Sequence, residues 1–538
     1  MSSGILVKLV LAFSTAVLAH YLFKLARRLA HPYFSPLRDV KGPQSKSMFF
    51  GNLREIDNAE AMELHERWRE DYGPVYKYKA FFNVRRNLRA AGLLFVEGII
   101  TQRLEQLLLT CSDFLLQESS INSRYESIES ASSYILGINI YAVFERTSAK
   151  DYVIRDHQSP AFGPSQVREL TEIFVDKAIQ LRDIWVSQLS TVTSDGSERD
   201  RVKIDVSSWL NKMTLDVIGL AGFNYSFNAL NPDGKPNELN ESVQAVFRTP
   251  RGFRAVLPVL QTVFPPLRVI PSERKRTVEA AQRTMARIGN QLLAERKAAV
   301  LASINGNEME VGRKSVQGKD LLSLLVKANM ATDLPETARL DDADVLAQVP
   351  TFLVAGHETT RQAPSIPCAI LQIKLRAELL LVPSQTPTME ELDRLPYLDA
   401  VVRETMRVFS PVPNTVRVAN CDDVIPLETE WEDKHGVRRK EVRPERWENP
   451  PAAIQSIPGI WGNSLAFSGG SRACIGYRFS VIEMKALIFV LIRAFQFEMS
   501  VPLEEIKSKS VVVRRPYLAS EPEKGAQLPL WVSAARLD

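Results

Sequence analysis

With 538 residues the chain is long enough for several domains or for one large fold, and 45% hydrophobic against 24% charged residues is the balance of a globular protein with a large core. A net charge of +4 with no concentrated basic arm gives no reason to expect nucleic acid as a partner. Cys111, Cys368, Cys421 and Cys474 are scattered with no Cys-x-x-Cys pair, which argues against both a disulfide framework and a zinc site.

Residues 5–23 are almost wholly apolar, interrupted by Lys8, a few small polar residues and His20, and they are long enough to cross a bilayer as a helix. They read as a transmembrane anchor within residues 1–24. A cleaved signal peptide is the alternative, although the run exceeds a typical signal core. Lys24, Arg27, Arg28, Arg38 and Lys41 follow, and basic flanks stay cytosolic, so the body of the protein is expected on that side. Residues 25–50 form a basic hinge stiffened by Pro32, Pro36 and Pro43, and residues 51–538 make the folded body.

Residues 59–72 carry a helical pattern and 75–79 alternate as a short strand. Residues 99–158 are atypical, being rich in serine and including the run Glu118-Ser119-Ser120-Ile121-Asn122-Ser123. That stretch is either a variable insertion or a segment foreign to the fold, such as translated intron sequence. Leu170, Ile173, Phe174, Ala178, Leu181 and Ile184 recur at helical spacing within 169–189, and 206–223 and 274–300 are further helical stretches. Residues 304–319, polar and glycine-containing, read as a solvent loop. There is no internal repeat, and the fold class is mainly α with a small β-sheet.

Asp341 and Asp342 are good N-caps for a helix that Pro350 should bend. It runs into Ala355-Gly356-His357-Glu358-Thr359-Thr360, where Glu358 and Thr359 offer an acid and a hydroxyl for relaying protons. Pro364 and Pro367 then break the helical ladder. Glu404 and Arg407 lie three apart on one face of a helix over 397–409, where they can pair. Residues 477–497 form an apolar helix bearing Arg478, Lys485 and Arg493.

Just before that helix stands Phe467-Ser468-Gly469-Gly470-Ser471-Arg472-Ala473-Cys474-Ile475-Gly476. Its glycines let the backbone turn sharply and lie close to a flat partner. A thiolate at a helix N-terminus is favoured by the free N–H groups and the dipole there. Arg472 brings a cation toward an anionic edge, and Phe467 is placed to shield the sulfur. Read alone, Cys474 also fits a buried structural cysteine in a turn.

The pattern Phe-x-x-Gly-x-Arg-x-Cys-x-Gly resembles the haem-binding loop of the cytochrome P450 family, of its eukaryotic membrane-anchored type. The resemblance implies a helix-rich domain with a small sheet and haem b bound between two helices. It makes Cys474 the axial iron ligand, with Phe467, Gly470, Arg472 and Gly476 around the cofactor. Residues 355–360 resemble the family's oxygen-activating segment, Ala355 and Gly356 leaving room for dioxygen, Glu358 and Thr359 delivering protons, and His357 a spectator. Arg446, in Pro444-Glu445-Arg446-Trp447, corresponds to the third member of a buried network with Glu404 and Arg407, and Arg417 to an arginine on a haem propionate. The hinge and residues 92–98 also look family-like.

Three breaks interrupt the resemblance, at 99–158, at 361–370 and near 440–443. By family, the chain is expected to insert one oxygen atom from O2 into an apolar small molecule. Electrons would come from NADPH through the flavins of NADPH–cytochrome P450 reductase, with cytochrome b5 as a further partner, at the endoplasmic reticulum membrane. The cations on 477–497 would serve an acidic redox partner. The competing expectation is a membrane-anchored relic without turnover, since losing that much packed structure would exceed a typical domain stability of about 5–15 kcal/mol.

Overall fold

The apolar and amphipathic runs of the sequence become the helices of the computed structural model. It describes residues 41–47, 50–60, 63–72, 75–79, 94–96, 125–127, 159–194, 201–231, 237–239, 241–242, 273–305, 320–330, 341–361, 367–413, 417–419, 443–457, 459–470, 473–510 and 513–535, with Thr15, Ala19 and Phe23. The chain divides into one unit of Met1–Ile135, Arg251–Pro271 and Asn414–Gly436, and a second of Leu136–Pro250, Ser272–Pro413 and Val437–Asp538.

In the first unit, α1 (Leu53–Asn58) and α2 (Glu63–Tyr72) precede an antiparallel pair, β1 (Val75–Lys77) and β2 (Leu94–Val96). Helix α2 starts at Glu63, later than the pattern over 59–72 suggests. Leu64 and Trp68 of α2 close a small core on Tyr76. His65 Nδ1 lies 2.8 Å from the Tyr76 hydroxyl, and burial lowers the imidazole pKa to about 4. Tyr125–Ser127 pairs antiparallel with Arg417–Ala419. The rest of the atypical stretch 99–158, apart from Tyr125–Ser127 within it and Ser159 beyond it, lies outside the described residues. So do most of the expected anchor and hinge, and among the described residues no helix is long and apolar enough to cross a membrane.

The second unit holds the main core. Its early elements are α3 (Pro164–Ser194), β3 (Arg201–Asp205), α4 (Val206–Phe223), α5 (Glu273–Asn305), α6 (Leu321–Met330), α7 (Asp342–Thr360) and α8 (Pro367–Leu379). Next come α9 (Met389–Asp393), α10 (Pro396–Val408), β4 (Gly459–Trp461), β5 (Ser464–Gly469) and α11 (Tyr477–Ala494). Strands β6 (Phe495–Met499), β7 (Ile506–Ser510), β8 (Arg514–Leu518) and β9 (Pro529–Ala534) complete it. The described elements are mainly helical, with small sheets, as expected.

Helix α11 is apolar on nearly every side, and such a helix belongs inside a core. It packs along α3, where Phe174 meets Phe479 edge-on at 4.7 Å and Trp185 lies 5.6 Å from Phe495. The helix expected over 477–497 ends at Ala494. Phe495 and Phe497 point inward while Glu498 faces solvent, an alternation of period two that makes 495–499 a strand. Antiparallel β9 sits between β3 and β6. On β6, Gln372 of α8 closes the backbone of Phe497, donating to its carbonyl at 2.7 Å and accepting from its N–H at 2.8 Å.

Asp205 caps α4 by accepting from Ser208 N–H, and it also accepts from Leu528 N–H at 2.8 Å, next to β9. Helix α7 begins with Asp341 as N-cap in a capping box with Asp344, and Asp342 binds Lys297 of α5. Pro350 sits inside α7 without ending it, and the helix continues to Thr360. As the prolines imply, the ladder stops there, and Pro367 opens α8.

Candidate active site

The cysteine loop is built from the end of a hairpin. Strands β4 and β5 turn through Gly462 and Asn463, both at positive φ, the geometry of a tight hairpin turn. Ser468 and Gly470 again take positive φ, at 62° and 72°, and swing the chain back on itself. A side chain is disfavoured there, which gives Gly470 its reason. Ala473 N–H donates to the Gly470 carbonyl at 3.1 Å and Cys474 N–H to the Phe467 carbonyl at 2.9 Å, closing the loop. Phe467 itself is buried against Trp461 and Tyr477. Cys474 is exposed, so the reading as a buried structural cysteine does not hold. Gly476 caps α11 at an ordinary φ of −87°, and a Cβ there would meet Phe162 only at normal contact distance, so nothing in its local geometry demands glycine. Arg472 lies outside the described residues.

What holds this loop's approach is a single carboxylate. Glu404 of α10 is fully buried and accepts from Arg407 Nε at 2.9 Å and Nη2 at 2.8 Å, and from Arg446 Nε at 2.9 Å. Sequence reading named these members. It missed the Trp447 indole N–H at 3.1 Å and the Arg443 backbone N–H at 2.8 Å, which no local spacing signals. Burial pushes the Glu404 pKa up, but Arg407, the Arg443 amide and Arg446 together hold it below the usual carboxylate range.

On α7 the expected residues separate by face. Ala355 is exposed and Thr359 half-exposed, its hydroxyl donating to the Ala355 carbonyl at 2.6 Å. Gly356 lies elsewhere: a Cβ would come within 2.7 Å of Ile218 of α4. Its smallness serves helix packing. His357 is buried, Nδ1 2.5 Å from the Leu353 carbonyl, in keeping with a spectator role.

Glu358 is also buried, and its Oε2 accepts from Arg361 at 3.0 Å and from Arg515 of β8 at 2.8 Å. Burial alone would raise its pKa, but Arg361, His357 and Arg515 hold it well below the ordinary range. Both arginine partners were missed, Arg515 because it comes from a strand far along the chain.

Two of the three cations expected to face a partner bond within the chain. Lys485 is buried, 2.8 Å from Asp393 and 3.0 Å from Asp399. Arg493 donates to the Ser384 carbonyl at 2.6 Å, and Arg478 is exposed. Arg417 belongs to the first unit, in the strand that pairs with Tyr125–Ser127.

Among the described residues there is no cluster of His, Cys, Asp and Glu suited to a bare metal ion. An exposed cysteine on a hydrogen-bonded loop at a helix start is instead a single donor of the kind that an iron already held by a macrocycle can take. The donor set therefore fits haem.

A family model described as Cytochrome P450 matches residues 114–427 and 440–520. The chain is 45% identical over 566 residues to Cytochrome P450 monooxygenase 205 of Postia placenta, spanning 98% of each chain. Cytochrome P450 monooxygenase 128 of the same organism is 44% identical over 97% of each. Cytochrome P450 monooxygenase claO of Ampulloclitocybe clavipes is 30% identical over 92% of each. The chain belongs to the cytochrome P450 family. It is an oxidoreductase of the monooxygenase class, and the family implies haem iron. The match takes in residues 114–158 of the stretch expected to be atypical, and its gap between 427 and 440 falls near the break expected at 440–443.

Two variants test the charge networks. Glu404→Ala leaves Arg407 and Arg446 without their shared acceptor and is expected to cost about 3–5 kcal/mol in denaturant unfolding. An unchanged midpoint would refute the network's role. Because the folded pKa of Glu358 is depressed, its stabilisation is present above the ordinary value of 4.5 and lost as pH falls below it. The stability gap between the protein and Glu358→Gln is therefore expected to shrink on acidification below that value, measured by melting temperature against pH.

Proposed function

We propose that the chain binds haem b through Cys474 and inserts one oxygen atom from O2 into an apolar small molecule, by hydroxylation or epoxidation. The observation that carries this reading is the exposed Cys474 on its hydrogen-bonded loop at the start of α11. When bound, haem iron with a thiolate ligand supplies oxygen activation, the sulfur's electron density favouring O–O cleavage.

The residues of the chain supply the rest. The N-terminus of α11 favours the Cys474 thiolate over the thiol. Phe467, Gly470, Arg472 and Gly476 would line the sulfur side, and by resemblance Arg472 would meet a propionate. Thr359 has a hydroxyl able to hold and pass a proton beside the exposed Ala355. Glu358, tied to Arg361 and Arg515, takes up a proton only as one of those ion pairs opens. An apolar substrate suits a pocket with few polar anchors. Electrons would arrive from NADPH through the flavins of a cytochrome P450 reductase, with cytochrome b5 as a possible second donor. Residues 5–23 would anchor the chain in the endoplasmic reticulum membrane with its body cytosolic, as the basic residues after them support.

Reduced, carbon monoxide-treated protein is expected to give a thiolate-type Soret band that Cys474→Ala abolishes. Retention of that band by the variant would exclude Cys474 as ligand, and its absence from the unaltered protein would favour the relic. Thr359→Ala is expected to keep haem while diverting NADPH equivalents into hydrogen peroxide several-fold more than the parent, and unchanged coupling would exclude Thr359 from proton delivery. Carbonate-washed membranes should retain the full chain and release a form starting near residue 40. A mature N-terminus generated by cleavage after residue 23 would overturn the anchor.

A further inference from the structure

Helix α11 buries a carboxyl group that no part of this reading uses. Glu483 is fully buried, and neither of its oxygens makes a hydrogen bond. The cations nearest in sequence or across the helix pair are committed elsewhere. Lys485 is held by Asp393 and Asp399, and Arg361, next to Thr360, faces Glu358. An ionised carboxylate in such a place loses its hydration with no counter-ion, which costs several kcal/mol even after relaxation.

Two hydroxyls stand beside it. Ser480 lies one turn earlier on the same helix face, and Thr360 is the last residue of α7. Their oxygens are 3.2 Å apart, and Thr360 also donates to the Gly356 carbonyl at 2.9 Å. With the Thr360 hydrogen spent on that carbonyl, Ser480 is the donor to the Thr360 oxygen, and a carboxylate would find neither hydrogen free. A carboxylic acid can instead donate its own hydrogen to the Thr360 oxygen, so the donor count favours the neutral form.

We propose that Glu483 is a neutral carboxylic acid and a positioning residue, completing a junction with Thr360 and Ser480 that fixes the last turn of α7, with Thr359, against the first turns of α11 beyond Cys474. Burial pushes its pKa well above the ordinary carboxyl range, the direction a neutral acid requires. The junction lies on a different side of the helix end from the Glu358 ion pairs. The last turn of α7 is thus held by charge through residue 358 and by an uncharged contact through residue 360. Its consequence for Thr359 rests on the proton-delivery role proposed above, whereas the junction itself does not.

Infrared difference spectra of the holoprotein test the protonation state. The parent is expected to show a carboxylic-acid carbonyl band that shifts in heavy water, disappears in Glu483→Gln and moves in Thr360→Val. Absence of any band lost in Glu483→Gln would overturn the neutral assignment, and a band unmoved by Thr360→Val would overturn the contact. Hydrogen exchange tests positioning: Glu483→Leu, which fills the site with apolar volume, is expected to speed amide exchange across residues 357–361 several-fold while keeping the thiolate-type carbon monoxide spectrum. Exchange equal to the parent would remove the positioning role. Should Glu483→Leu not fold, Ser480→Ala carries the same exchange measurement with the same two outcomes. None of these readouts needs turnover, so they fail or succeed independently of the coupling of Thr359→Ala.

Discussion

The carboxylate of Glu404 is the point on which the cysteine loop's approach depends. It sits with no solvent contact and gathers both Arg407 donors, the Arg446 guanidinium, the Trp447 indole and the Arg443 amide. Removing a carboxylate from water is costly, and only a nearly complete set of donors offsets it. Donors from 443–447 come from the short turn before the β4–β5 hairpin, whose far end is the loop closed by the Cys474 and Ala473 amides. The chain entering the site is therefore tied to α10 through one shared acceptor, and the hairpin carries that constraint forward.

Helix α7 shows how the protein manages a helix that stops early. Its ladder ends at Thr360, and the next described helix, α8, starts at Pro367. The exposed carbonyl end is not left to water alone. Arg361 turns back onto Glu358, and Arg515 reaches across from β8 to the same oxygen. Cations at a helix C-terminus are also favoured by its dipole, so the ion pairs and the helix end support each other.

Much of this was legible in the sequence because the signals were local. Apolar spacing located α3, α4 and α5, Asp341 announced the start of α7, and Glu404 with Arg407 lay at helical spacing. Local signals failed wherever the partner was distant. Lys485 on an apolar helix looked like a surface cation, yet Asp393 and Asp399 come to it from other helices. The sequence shows Gly356 to be small, and only the path of α4 shows that Ile218 needs that smallness. The strand 495–499 was absorbed into a helix because an apolar run hides a change of period unless the polar positions are weighed. Residues 114–158 read as atypical because they are rich in serine, yet the family match takes them in.

The middle strand of the main sheet, β9, is the latest of its three strands in the chain. Strand β3 and the start of α4 are made more than three hundred residues earlier, yet Asp205 finishes its hydrogen bonds only when Leu528 arrives. During synthesis β3 and β6 therefore wait with open edges on the sides that β9 will fill. Unpaired edges of this kind are where nascent chains join the wrong partner, and contacts of such long sequence separation are slow to form. The sheet closes only once β9 has been made and has reached its two neighbours, which makes that strand the latch of the core and makes yield of folded protein sensitive to anything that delays or trims it.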